Sequence, residues 1–321
     1  MAIYPPIDDV YPNIWEQVKK KLETEGSLNK QYDADLDGIV DKDAYSMLFG
    51  DGSDGDIIVT SGNTLVLSDD LNANNLTIES GATLDVNGHI VRVKGKLISE
   101  GVITDSYSGG AGGAGAYGNT TCLVTTTTSP ACNGASGSAP NKDGGGAGGG
   151  GGGGAYYYDG SFWRCAGGGA GGKGGGVVIL YAYIIEKAGT IDVRGQNGEN
   201  ANGNCDFAVG GGGGGGGGGT AIVKSMFYYD KPTLLYNGGV GGSGVSKITP
   251  GIGSASNVTY CPGGSSGSGE SGGSAGGGNG VSGSSTHHGG GGGGGSAIAS
   301  NSVSISGGNG GNGADGVGIL I

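Results

Sequence analysis

Glycine supplies 83 of the 321 residues and comes in runs: Gly148–Gly154, Gly210–Gly219 and Gly289–Gly295, among GGX triplets such as Gly109-Gly110-Ala111-Gly112-Gly113-Ala114 and Gly307-Gly308-Asn309-Gly310-Gly311-Asn312. A glycine run has no side chain to bury and loses the most backbone entropy on ordering, so it is either a floppy linker or a backbone packed against other backbones. The packed form is polyproline-II-like, with three residues per turn, and close neighbours exchange N–H···O bonds and weak Cα–H···O contacts sideways. Collagen does not fit, because the period is mixed and the chain has only 8 prolines. The sequence therefore predicts polyglycine-II-like tracts, with irregular loop as the alternative. Such tracts bury almost no apolar area, so apolar strands must supply the driving force.

Those strands are visible from about residue 56 to 105 as DIIVTSG, NTLVLSDD, NNLTIESG, ATLDVNGH, IVRVKG and KLISEG. Each carries alternating or β-branched apolar residues and is cut by Ser-Gly, Asn-Gly or Lys-Gly. The spacing suits a small β-solenoid or a sandwich, with Leu76, Ile78, Leu84, Val86, Ile90, Val91 and Val93 facing inward. Further on, glycine tracts alternate with VVILYAYIIEKAGTIDVRG, TAIVKSMFYYDKPTLLYNGG and GVGILI, a degenerate repeat in which strands form a base and glycine segments run out from it. Near the start, Ile14, Trp15, Val18 and Leu22 have near-helical spacing and Gly26 follows, which predicts a helix over Ile14–Glu25. The fold expected is mainly β in three parts. Residues 1–55 form an N-terminal attachment segment with a small helix and an Asp-rich loop, 56–105 a short-strand β module, and 106–321 a glycine-rich domain with a polyglycine-II-like bundle.

The net charge of −12 argues against a nucleic-acid partner. Apolar runs such as Val177–Tyr183 are far shorter than a membrane span, and MAIYPPIDDVYP lacks the basic and apolar regions of a secretory signal. Release by lysis is expected, with a non-Sec export route or an unseen leader as the alternative. The five cysteines, Cys122, Cys132, Cys165, Cys205 and Cys261, form no CxxC pair, so zinc is not expected. Cys122 and Cys132 bracket a Thr/Ser/Pro loop that a disulfide could close; otherwise all five are small buried apolar residues.

Three constellations could carry chemistry. The loop Asp33-Ala34-Asp35-Leu36-Asp37-Gly38-Ile39-Val40-Asp41 sets alternate hard oxygens before a turn glycine, as Ca2+ requires. Asp33, Asp35, Asp37, the Ile39 carbonyl and Asp41 are its candidate ligands. The twelfth position is Ala44 rather than a bidentate glutamate, and a solvated acidic turn is the alternative. Tyr156, Tyr157, Tyr158, Phe162, Trp163 and Arg164, and later Tyr228 and Tyr229, have the composition of a recognition surface on glycine-flanked loops. The competing reading makes them a core plug. Asp69, Asp70, Glu79, Asp85 and Glu100 could pair for glycoside hydrolysis, but nothing in the sequence fixes their separation, and His89, His287 and His288 make no triad. No catalysis is expected.

The stretch from Gly50 to Ile103, short strands joined by SG and NG turns ahead of glycine tracts, resembles modules of tail-fibre and other virion-surface proteins of bacteriophages and archaeal viruses. The tracts with variable loops between them are similar to tail-fibre adhesins with a polyglycine-II distal domain, and YDADLDGIVDKDA is similar to Asp-rich linkers in such fibres. The N-terminus matches no standard virion-attachment domain of that family. The resemblance implies a non-catalytic, extracellular, virion-borne adhesin, oligomeric, that binds a host glycan or protein receptor through loops between the tracts and joins other virion proteins through its N-terminal segment. The alternatives are a structural subunit of a capsid decoration or extracellular filament, and a polysaccharide depolymerase.

Overall fold

The computed structural model describes residues 48–116, 122–124, 133–158, 163–201, 208–249, 256–260, 297–298, 303–306 and 308–321. The strands are β1 (Asp56–Val59), β2 (Thr64–Val66), β3 (Leu71–Ala73), β4 (Asn75–Ile78), β5 (Thr83–Asp85), β6 (Ile90–Ser99), β7 (Val102–Thr104), β8 (Cys122–Val124), β9 (Ala155–Tyr158) and β10 (Trp163–Ala166). They continue with β11 (Val177–Lys187), β12 (Thr190–Asp192), β13 (Ala208–Val209), β14 (Thr220–Tyr228), β15 (Thr233–Leu235), β16 (Ser246–Thr249), β17 (Ser256–Tyr260), β18 (Ala297–Ile298), β19 (Val303–Ser306) and β20 (Val317–Leu320). The protein is mainly β, with almost no helix among the described residues. The expected helix over Ile14–Glu25 lies outside them.

Two parallel sheets carry the core. One runs β1-β4-β6-β11-β14-β20, with β3 also on β6; the other runs β15-β12-β7-β5-β2. The chain gives a strand to the first sheet and then to the second on each pass. Early passes are short: Thr64 pairs with Thr83 and Thr83 with Val102, a step of 19 residues each time. Turns with a left-handed residue make such short passes possible. Gly62 and Gly81 have φ of 76° and 77°, and Asn87-Gly88 has 47° and 84°. These are the SG and NG sites at which the sequence cuts its strands.

Alternation puts every second side chain between the sheets, where Leu76, Ile78, Leu84, Val86, Val91 and Val93 are buried. Ile90, expected with them, is only half-buried because it opens β6. The expected break at Lys94-Gly95 is absent: β6 runs through Gly95 and pairs first with β3 and then with β4. Gly95 is glycine because a Cβ there would stand 2.8 Å from the Asn74 carbonyl oxygen and 2.5 Å from Asn75 Oδ1, where the partner of β6 changes from β3 to β4. The first sheet also runs without interruption across residue 105, since β11 pairs with β6. On its outer surface Phe49, Tyr183 and Phe227 stack edge to face, with centroids 5.7 and 5.6 Å apart.

Between β7 and β20 the chain leaves the sheets in long glycine excursions that pair with one another. The buried tract Gly210–Gly219 is central. Its Gly211, Gly214 and Gly217 N–H groups donate to Gly153, Gly150 and Ala147; Gly212, Gly215 and Gly218 donate to Gly308, Gly311 and Ala314; Gly213, Gly216 and Gly219 donate to Glu199, Gln196 and Val193. Gly169, Gly172 and Gly175 donate to it from another side, and Gly239 and Gly242 from yet another. Each neighbour is therefore addressed by every third residue.

That period explains the GGX triplets. A Cβ at Gly109, Gly110, Gly112 or Gly113 would stand well inside 3.0 Å of a neighbouring backbone, whereas Ala111 and Ala114 carry side chains. At the rim, 134–139 and 195–201 keep glycine at one position in three, and Gln196, Asn197, Glu199 and Asn200 are exposed. The number of non-glycine positions per turn thus rises as a tract loses neighbours. Rim amides replace missing backbone partners: Asn309 and Asn312 Oδ1 accept from the Gly244 and Gly241 N–H groups at 2.9 Å, and Asn197 and Asn200 Oδ1 accept from Val240 and Ser243.

Gly213→Ala is expected to destabilise the protein by about 3 kcal/mol or more, because its Cβ would collide with the Ala170 carbonyl inside the packed array. Asn312→Ala, which removes one side-chain acceptor at the rim, should cost about 1 kcal/mol. Denaturant unfolding of the two variants checks the contrast; equal losses would refute the period-three account.

Candidate functional site

Where the second sheet hands the chain to the glycine tracts, an open groove of about 600 Å³ forms. Its walls are the residues just after β7, β12 and β15 and those just before β11. Thr104, Asp192 and Leu235 are successive register partners at this end of the sheet, so the exits stack one above another. Thr104 Oγ1 donates to the Asp192 carbonyl at 2.8 Å and fixes the spacing of two of them.

One buried carboxylate, Asp105, lines the groove, and a second, Asp85, holds the groove residue Ser106. Asp105 accepts N–H bonds from Gly88 at 3.1 Å, Tyr107 at 3.0 Å and Val177 at 2.7 Å, tying a turn, its own loop and the start of β11 together. Asp85 accepts from the Asn87 and Ser106 N–H groups at 3.0 Å and from the Ser106 hydroxyl at 2.5 Å. The lone pairs of both carboxylates are thus taken up by fixed donors.

The walls are richer in donors. Arg194 holds Asp192 through Nε at 2.9 Å and Nη2 at 2.6 Å. Burial pushes the Asp192 carboxyl up, but the Arg194 hydrogen bonds and charge outweigh it and hold the group below its ordinary 3.8. The same carboxylate raises Arg194. Lys173 Nζ donates to the Ser106 carbonyl. Gln196, Asn197 and Asn237 complete the polar lining, and the buried Gly174 to Gly176 back one wall.

Of these residues the sequence points only to Asp85, and to that as a catalytic candidate. The signal for the others was a polar or cationic residue at each strand-to-glycine junction, in TDS, GGKGGG, IDVRGQNG and LLYNGG.

The sequence candidates lie elsewhere. Tyr156, Tyr157 and Tyr158 are on β9, and Trp163 and Arg164 are on β10, so they stand on paired strands where loops were expected: Trp163 is opposite Tyr158, and Arg164 opposite Tyr157. Phe162 lies outside the described residues, as do Asp33, Asp35, Asp37, Ile39 and Asp41 of the calcium loop, along with His287 and His288. Tyr229 is 77% exposed beside the exposed Met226 and Phe227. Tyr228 is half-buried and its hydroxyl is shared between the Val223 and Ile321 carbonyls, an anchor for the last strand. Cys122, which a disulfide to Cys132 could engage, is the register partner of Cys165; Cys132 lies outside the described residues.

Four of the five carboxylates that could serve catalysis are separately engaged. Asp70 binds Arg92 at 3.0 Å, Glu79 accepts from the Ser61 N–H, Asp85 holds Ser106, and Glu100 pairs with Lys187. Among the described residues no group of three or more His, Cys, Asp or Glu could hold a metal ion, and no helix is long and apolar enough to cross a membrane. No protein-family model, curated protein or solved structure matches the chain.

Asp105→Ala should cost about 3 kcal/mol, since it orphans several buried N–H groups at once. The Asp192–Arg194 pair gives a pH signature. A carboxyl lowered by folding adds stability that is full above its ordinary 3.8 and is lost as pH falls through the lowered folded value. Asp192→Asn should therefore lose stability at neutral pH and show a shallower acid limb; unchanged limbs in thermal melts across pH would refute the assignment.

Proposed function

We propose that this protein is a non-catalytic adhesin of a virion surface, in which the two parallel sheets form a short β-solenoid and the glycine tracts a polyglycine-II bundle that recognises a host-cell receptor. The observation that carries the reading is the three-residue hydrogen-bond period among the tracts. It supports a rigid backbone lattice presenting side chains only at its rim and interruptions, a design suited to display. The separate engagement of Asp70, Glu79, Asp85 and Glu100 supports the non-catalytic part. In this reading the 1–55 segment joins other virion proteins, with Ca2+ held by Asp33, Asp35, Asp37, Ile39 and Asp41, and Tyr156 to Tyr158, Phe162, Trp163, Arg164 and Tyr229 are receptor contacts, Tyr228 being kept for the anchor of the last strand. The exposed apolar edge of β20, with Ile319, Leu320 and Ile321, favours the second reading, a filament or decoration subunit.

Labelled protein should adsorb saturably to some members of a panel of bacterial and archaeal cells, without shortening their surface polysaccharides. Trp163→Ala should weaken adsorption about thirtyfold at unchanged melting temperature. A melted variant would retire Trp163 as a contact, and filaments in negative stain without adsorption would favour the subunit reading. Calorimetry should detect Ca2+ binding that EDTA reverses and Asp35→Ala abolishes.

A further inference from the structure

We propose that the groove at the sheet-to-tract junction binds a carboxylate-bearing saccharide; this rests on the adhesin reading and names its ligand class. The argument is a count of hydrogen-bonding capacity. Both acids that border the groove are spent: Asp105 on backbone N–H groups, and Asp192 on the side-on edge of Arg194. What remains facing solvent is donor-rich. A guanidinium has two bidentate edges, and since Nε and Nη2 serve Asp192, the end-on pair, Nη1 with the second Nη2 hydrogen, is left for an incoming carboxylate. The Lys173 ammonium gives one hydrogen to the Ser106 carbonyl and keeps two. Two cations against two acids leave this lining without net charge in a chain of net charge −12, so an anion is drawn here by directed, charge-assisted donors rather than by a long-range field.

The rest of the lining distinguishes a sugar acid from a bare anion. Gln196 and Asn237 make no side-chain hydrogen bond among the described residues, and Asn197 uses only its Oδ1, toward Val240. Three amides with donors and acceptors to spare match vicinal hydroxyls, which both give and take hydrogen bonds. The volume of about 600 Å³ falls in the range of small-ligand sites.

Calorimetry with the full chain tests this against digalacturonate, its dimethyl ester, sialyllactose and inorganic phosphate. Digalacturonate or sialyllactose should bind with Kd below about 1 mM, the two arms separating a uronic from a sialic source, and the ester should bind about tenfold more weakly than its acid. Arg194→Gln should abolish the acid's advantage over the ester. Gln196→Ala with Asn237→Ala, both exposed, should weaken the acid about fivefold or more at unchanged melting temperature. Equal binding of acid and ester, phosphate competing as well as the saccharide, or no saturable binding by either acid would each overturn the assignment. Cell adsorption by wild type that survives the double variant would refute the groove alone; wild type that adsorbs to no cell would remove the adhesin reading itself.

Discussion

Backbone bonded directly to backbone, at a separation with no room for a Cβ, is the constraint on which this architecture depends. A buried peptide group must find a partner, and among glycine tracts the partners at hand are other peptide groups. The tracts solve this by aiming successive N–H groups at different neighbours. The solution is unforgiving, because one methyl at Gly213 would overlap the Ala170 carbonyl. Where a tract reaches the rim the constraint lapses, and Asn197, Asn309 and Asn312 appear, accepting through side chains what a further tract would accept through carbonyls.

Such a lattice cannot nucleate itself, since it buries little apolar area. The two parallel sheets supply the area and also the alignment. Val177, Thr220 and Val317 are neighbours in register at the starts of β11, β14 and β20. The residues just before them, Gly176 and Gly219, continue the ladder, with Thr220 donating to the Gly176 carbonyl and Val317 to the Gly219 carbonyl. Sheet pairing thus passes into tract pairing without a break, and the strands set which glycines meet. Asp105 reinforces the handover by holding the Val177 N–H from the end of β7.

The same junction creates the groove. Strand exits stacked in register bring Asp192, Arg194 and Asn237 alongside Lys173, which arrives from an excursion that began after β7. A site built this way sits on rigid elements, and its acids are neutralised by the contacts that hold sheet and lattice together.

Much of the fold was legible in the residues. The SG and NG dipeptides mark left-handed turns because Gly62, Gly81 and Gly88 must adopt positive φ there, and alternation marks Leu76, Ile78, Leu84 and Val86 as core because a strand's side chains alternate between faces. The GGX triplets announce a three-residue period. Tertiary structure alone decided the rest. Gly95 looks like a turn but lies inside β6, since its role is to clear Asn75 on an adjacent strand. Tyr228 looks like a surface aromatic but anchors Ile321, from a position far away in sequence. The groove was hidden for the same reason: Lys173, Arg194 and Asn237 are unremarkable residues beside glycine, and only the parallel register of β7, β12 and β15, a long-range pairing that local sequence does not encode, puts them on one surface.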